Sequence, residues 1–107
     1  MIAVDTNVLV YAHRQELAKH RQALATLTAL AEGSAPWAIP VFCLGEWLRV
    51  LTHPRLFSPP HTPNEAANAA ERLLASPSLE ILAPGPSFPS LLLEAIRDSG
   101  ARGNVAG

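Results

Sequence analysis

Short apolar runs alternate along this chain with longer segments whose apolar residues recur every three or four positions, the patterns that separate buried strands from amphipathic helices. Met1-Ile2-Ala3-Val4 is such a run, and Asp5-Thr6-Asn7 follows at once, which predicts a fully buried strand delivering a polar turn. Val8 to Tyr11 predicts a short helix. From Glu16 to Glu32, Leu17, Leu24, Leu27 and Ala31 recur at helical spacing and predict one core-facing stripe, stopped at Gly33. Trp37-Ala38-Ile39 then reads as a second short strand bounded by Pro40.

Val41 to His53 predicts a further helix, ended because Pro54 disfavours helical geometry at the residue before it. On its wheel Val41, Leu44, Leu48 and Leu51 share the face expected to meet the core. Glu46, Arg49 and His53 form a narrow stripe opposite, flanked by Phe42, Cys43 and Val50. A carboxylate in so apolar a surround calls for a partner. His53 to Thr62 carries Pro54, Pro59 and Pro60 and reads as an ordered surface loop. Thr62-Pro63-Asn64-Glu65 has the form of a capping box and opens an alanine-rich helix to about Ser76, closed by Pro77. Leu79 to Leu82 is a third strand, and Ser87 to Ser99 a last helix stopped by Gly100. Strands alternating with helices predict an α/β layer fold around a parallel sheet. Arg102 to Gly107 reads as a loop with no element after it, which leaves a sheet thin by ordinary standards.

With 107 residues, 49% hydrophobic and 16% charged, the chain has material for one core, so a single domain is expected over residues 1 to 107. No run approaches the roughly 18 apolar residues of a membrane span, and Asp5 and Asn7 interrupt the place of a signal peptide. A soluble cytoplasmic protein with no membrane partner is the expectation. The lone Cys43 excludes an internal disulfide and a Cys-rich zinc site, and its mid-helix position predicts a packed thiol. A net charge of −1 argues against a nonspecific nucleic-acid coat. It leaves open an enzyme whose acids hold metal and whose arginines hold phosphate, because these contributions cancel in the sum.

Two acids stand out. Asp5 lies beyond the carboxyl end of the first strand, where functional groups of open α/β sheets collect; the same position also suits a helix N-cap. The helix of Glu46 starts near the end of the second strand, at the same edge. Two carboxylates meeting there would suit a hard cation such as magnesium, which activates water and stabilises charge on a phosphodiester. The alternative for Glu46 is an i,i+3 ion pair with Arg49. His13, His20, His53 and His61 have no metal-ligand spacing and read mostly as surface residues, and Asp98 reads as an exposed acid. Ser87 and Ser90 lie in no nucleophile elbow, and no phosphate loop or dinucleotide fingerprint occurs.

In order and spacing, three segments resemble the PIN-domain family, and within it the VapC toxins of bacterial toxin–antitoxin pairs. They are Ile2-Ala3-Val4-Asp5-Thr6-Asn7-Val8-Leu9-Val10-Tyr11-Ala12, Glu46-Trp47-Leu48-Arg49 with Thr52-His53-Pro54-Arg55, and Gly100-Ala101-Arg102-Gly103-Asn104. The resemblance implies a PIN-like three-layer sandwich with a central parallel sheet. It also implies a magnesium- or manganese-dependent endoribonuclease that forms a homodimer and is silenced by a cognate antitoxin. In that scheme Asp5 and Glu46 are the catalytic metal ligands, Thr6 or Asn7 supports the first, and Arg49 lies near the site. VapC-like chains continue past the Gly-Asn turn into a helix opening on a third Asp, then a strand with a further acid. Val105-Ala106-Gly107 stands where these begin, so the last strand and helix, and half of the acidic cluster, are expected to be missing; Asp98 precedes the turn and does not fill the vacancy. A second reading is a non-catalytic PIN-like module that docks an antitoxin or a sister toxin. A third, a phosphatase with an Asp-x-Asp nucleophile, meets Asn7 in the place of its second acid.

Overall fold

The computed structural model describes residues 1–101. Three strands, β1 (Ile2–Ala3), β2 (Trp37–Pro40) and β3 (Leu79–Leu82), form a parallel sheet in that order. Five helices connect and follow them: α1 (Thr6–His13), α2 (His20–Glu32), α3 (Val41–Leu51), α4 (Pro63–Leu74) and α5 (Phe88–Ala101). The architecture is the expected α/β one. The expected Arg102 to Gly107 loop, and with it residues 102–104 of the last resembling segment, lies outside the described residues.

β2 is the central strand, and all four of its residues are buried, as a short apolar run between two parallel neighbours requires. Ile2 faces Trp37 and Ala3 faces Ala38 in the register, and the Val4 amide extends the pairing to the Ala38 carbonyl at 2.9 Å. β3 leaves Glu80 and Ile81 exposed. Trp37, Trp47, Leu9, Ile39, Leu51 and Val4 are the largest fully buried side chains, each contributing roughly 1.5–3 kcal/mol of burial or more for the indoles. α1 packs on α2 and α3, α3 packs on β2, and α5 lies against β1 and β3.

Local signals set some element ends, though α5 runs through Gly100 to Ala101 rather than stopping at that glycine. Thr62 Oγ1 accepts from the Glu65 amide at 3.1 Å while Glu65 Oε1 accepts from the Thr62 amide at 2.9 Å, the reciprocal capping box expected there. α2 begins at His20 rather than Glu16. The preceding segment instead turns twice, with Leu17 N–H donating to Arg14 O at 3.2 Å and His20 N–H to Leu17 O at 3.0 Å. The α2 stripe is also shifted: Ala23 and Leu27 are buried, Leu17 and Ala31 are partly so, and Leu24 is exposed.

The larger correction concerns α3. Its buried residues are Cys43, Trp47 and Leu51, with Leu44, Leu48 and Val50 packed at the margins, whereas Val41 is exposed. The expected stripe of Val41, Leu44, Leu48 and Leu51 is thus rotated, because the Trp47 indole offers the largest apolar area on the helix and turns into the core. Cys43 is a buried free thiol, as expected. The loop before α4 is ordered around Arg14, whose guanidinium lies 4.2 Å from the Phe57 ring centroid and donates to Pro59 O at 3.0 Å. Among the described residues, no helix is long and apolar enough to cross a membrane.

Candidate active site

Parallel pairing of β1 with β2 brings the starts of α1 and α3 to the same sheet edge. The register that sets Ala3 beside Ala38 leaves Asp5 as N-cap of α1 and Pro40 as N-cap of α3 at equivalent heights. The helices then advance side by side, so that His13 and Trp47, at nearly equal distances from their caps, meet with ring centroids 4.8 Å apart. Asp5 and Glu46 are therefore carried by neighbouring elements that rise from one edge of the sheet.

Asp5 is half-buried, and its Oδ1 accepts from the Val8 amide at 3.3 Å, so the capping alternative is realised. Its carboxyl pKa is raised. Burial disfavours the charge most, and the backbone N–H groups of Val8, Asn7 and Asp5 itself offset that only in part. Thr6 and Asn7 form the first turn of α1, Thr6 half-buried and Asn7 exposed.

Glu46 lies beyond the first turn of α3 and is half-exposed. It forms the i,i+3 ion pair weighed above: Arg49 Nε donates to Glu46 Oε2 at 3.2 Å, and Arg49 Nη2 donates to the same oxygen. The hydrogen bonds and charge of Glu46 raise the Arg49 pKa. Arg49 itself is exposed. The flank expected for this stripe is also altered, since Cys43 is buried and Val50 packs on the core while Phe42 is largely exposed. Both acids thus have local partners, one a helix end and the other a mobile-length cationic side chain.

His13 and Arg14 were not singled out by the sequence, and both anchor the surroundings. His13 lies against Trp47, and its Nδ1 donates to Leu9 O at 2.8 Å; burial is the main cause lowering its pKa. All four histidines are partly exposed. His20 Nδ1 bonds Tyr11 O at 2.8 Å, His61 Nδ1 lies 3.1 Å from Arg14 Nη1, and the Arg55 amide donates to His53 Nδ1 at 3.1 Å. Asp98 is likewise partnered, by the amino group of Met1. Only the size of Trp47 signalled a structural centre here; Arg14 pairs locally with Glu16, but its contacts to His61 and Pro59 lie more than forty residues away and left no local mark.

Among the described residues, no three histidine, cysteine, aspartate or glutamate side chains gather as a metal cluster. Asp5 at the head of α1 and Glu46 in the second turn of α3 are the hard-oxygen carboxylates that these two elements offer a divalent cation.

The fold and this edge define an α/β protein with an acid at the end of its first strand, and a model of the PIN domain matches residues 2–104. The chain belongs to the PIN-domain family. It is 38% identical over 104 residues to the VapC ribonuclease Mb2897 of Mycobacterium bovis, the alignment covering 97% of this chain and 71% of that protein. Ribonuclease VapC43 of Mycobacterium tuberculosis matches with the same identity and coverage. Ribonuclease VapC31 of Mycobacterium tuberculosis is 30% identical over 105 residues, covering 98% of this chain and 74% of its own.

Proposed function

We propose that this chain is a VapC-like toxin of a toxin–antitoxin pair, a metal-dependent endoribonuclease that hydrolyses RNA phosphodiester bonds. The observation that carries this reading is the 38% identity with named VapC ribonucleases across 97% of the chain. That α1, capped by Asp5, and α3, which carries Glu46, both start from one sheet edge supports it. The partners that accompany the reading are an RNA substrate, a cognate antitoxin and a second copy of the chain, in the cytoplasm and away from membranes.

In this reading Asp5 and Glu46 are the metal ligands. The donor chemistry fits, because both supply carboxylate oxygens and Asp5 carries a charge that burial disfavours and backbone N–H groups only partly offset. Magnesium, or manganese in its place, would supply Lewis-acid polarisation and an activated water when bound. Thr6 and Asn7 hold the turn that aims Asp5. Glu46 would hold the cation in place of its exposed Arg49 partner, and the Arg49 guanidinium would be available to a phosphate oxygen.

The test incubates purified protein with structured RNA and magnesium beside Asp5→Ala and Glu46→Gln variants and an EDTA control. Magnesium-dependent cleavage by the unmodified chain, lost in both variants, is expected. Equal cleavage by Asp5→Ala removes the assignment of Asp5. A second reading, a non-catalytic module that docks an antitoxin or sister toxin, is favoured by the engagement of both carboxylates with local partners. Calorimetric titration separates the two: magnesium binding with RNA turnover excludes the module, and antitoxin binding without magnesium binding excludes the nuclease.

A further inference from the structure

The chain has three phenylalanines, two tryptophans and one tyrosine. Both tryptophans are fully buried, Phe57 lies under the Arg14 guanidinium, and Tyr11 and Phe88 are partly covered. Phe42 is different. At 58% it is the most exposed of the large apolar side chains among the described residues.

Its position on α3 makes that exposure specific. Glu46 follows Phe42 by four residues and Arg49 by seven, so at about 100° per residue all three project within a narrow sector of the helix. Gly45 lies at the border of that sector, and a side chain added there would meet nothing within 4 Å, so the space beside Phe42 is open. The result is one face that presents an aromatic ring, a carboxylate and a guanidinium in succession, with the ring nearest the sheet edge that also carries Asp5.

We propose that Phe42 is a base-stacking residue for single-stranded RNA, holding a nucleotide beside the exposed Arg49 guanidinium, which suits its phosphate. This rests on the ribonuclease reading above and names a recognition element for it. An exposed ring suits any base because every base has a π face, whereas the neighbouring cation suits the backbone. The ring binds and positions; it takes no part in bond breaking.

The test measures anisotropy of a short fluorescein-labelled single-stranded RNA in EDTA, so that binding is read without cleavage. Phe42→Ala is expected to weaken binding roughly five- to hundredfold, the range for loss of one stacked base. Phe42→Trp is expected to retain it, and Leu24→Ala, an exposed apolar control on α2, to leave it unchanged. An abasic residue at the stacked position should cost the unmodified protein the same factor and the Phe42→Ala variant nothing further. Because the ring is exposed, the thermal midpoint of Phe42→Ala should match the unmodified chain, which separates lost stacking from lost folding. Unchanged affinity in Phe42→Ala, or an equal loss in Leu24→Ala, overturns the proposal even where the unmodified chain cleaves RNA. A chain that neither binds nor cleaves RNA overturns the ribonuclease reading and this assignment together.

Discussion

The two acids of the candidate site sit in opposite physical situations. Asp5 stands at a strand-to-helix junction, half-buried, held by the amides that open α1 and raised in pKa by burial. Glu46 stands on the outer face of α3, half-exposed, and meets a long flexible side chain from its own helix. Backbone therefore fixes the first carboxylate, whereas a solvent-screened ion pair holds the second and yields readily to a competing charge. Of the two carboxylates, one is held rigidly and the other adjusts.

The sharpest way to break the comparison is to remove the floor beneath Glu46. Trp47 is fully buried against His13, and Trp47→Ala should cost about 3–5 kcal/mol in urea denaturation, enough to free α3 from α1. A cost below about 1 kcal/mol would mean that α3 is held by its margins instead.

Asp5→Asn sharpens it next. Asparagine caps a helix about as well as aspartate, so stability should be retained within about 0.5 kcal/mol while RNA cleavage falls on the order of a hundredfold. Asp5→Ala should lose the same activity and in addition about 1 kcal/mol of stability, the ordinary worth of a cap. Equal stability of the two variants would show that the cap carries little of the junction.

A third prediction uses pH. Burial lowers the folded-state pKa of His13, so the neutral ring is the form the fold prefers. Its contribution is present above the unfolded value near 6.5 and is lost as pH falls below that value, because the unfolded chain then binds more protons. Asp5 acts in the opposite direction at lower pH. Its folded pKa is raised from 3.8, so stability falls as pH rises from that value through the folded pKa. Thermal midpoints from pH 4 to 8 should show the His13 slope in the unmodified chain and a flatter profile in His13→Gln. An unchanged slope in that variant would place the titration elsewhere.

The smallest effect is expected at Arg49. Arg49→Ala removes an exposed ion pair and should leave the thermal midpoint unchanged, while RNA affinity or turnover falls. A clear drop in midpoint would show the pair to be structural rather than exchangeable.

Much of the fold was legible because local chemistry decides it. The Thr62–Glu65 box, the strand at Leu79 to Leu82 and the polar turn after Val4 each follow from a few adjacent residues, and each is found. Both local alternatives for the acids were legible for the same reason. The face that α3 turns inward was not, because Val41, Phe42, Cys43, Leu44, Trp47, Leu48, Val50 and Leu51 put apolar groups around most of the helix. Overlapping stripes then satisfy the same periodicity, and only the neighbours on α1 and β2 choose among them.

The order of strands and helices, the caps, and the identities of Asp5 and Glu46 belong to the sequence alone, since hydrogen bonds and periodicity within a few residues specify them. Packing decided the remainder. Contact with His13 and the sheet drew Trp47 inside, and that rotation left Phe42 outside, on the face of Glu46 and Arg49. Arg14 became an anchor only because the chain returned to it from Phe57, Pro59 and His61. Such choices depend on which surfaces meet at long range, and no local pattern carries that information.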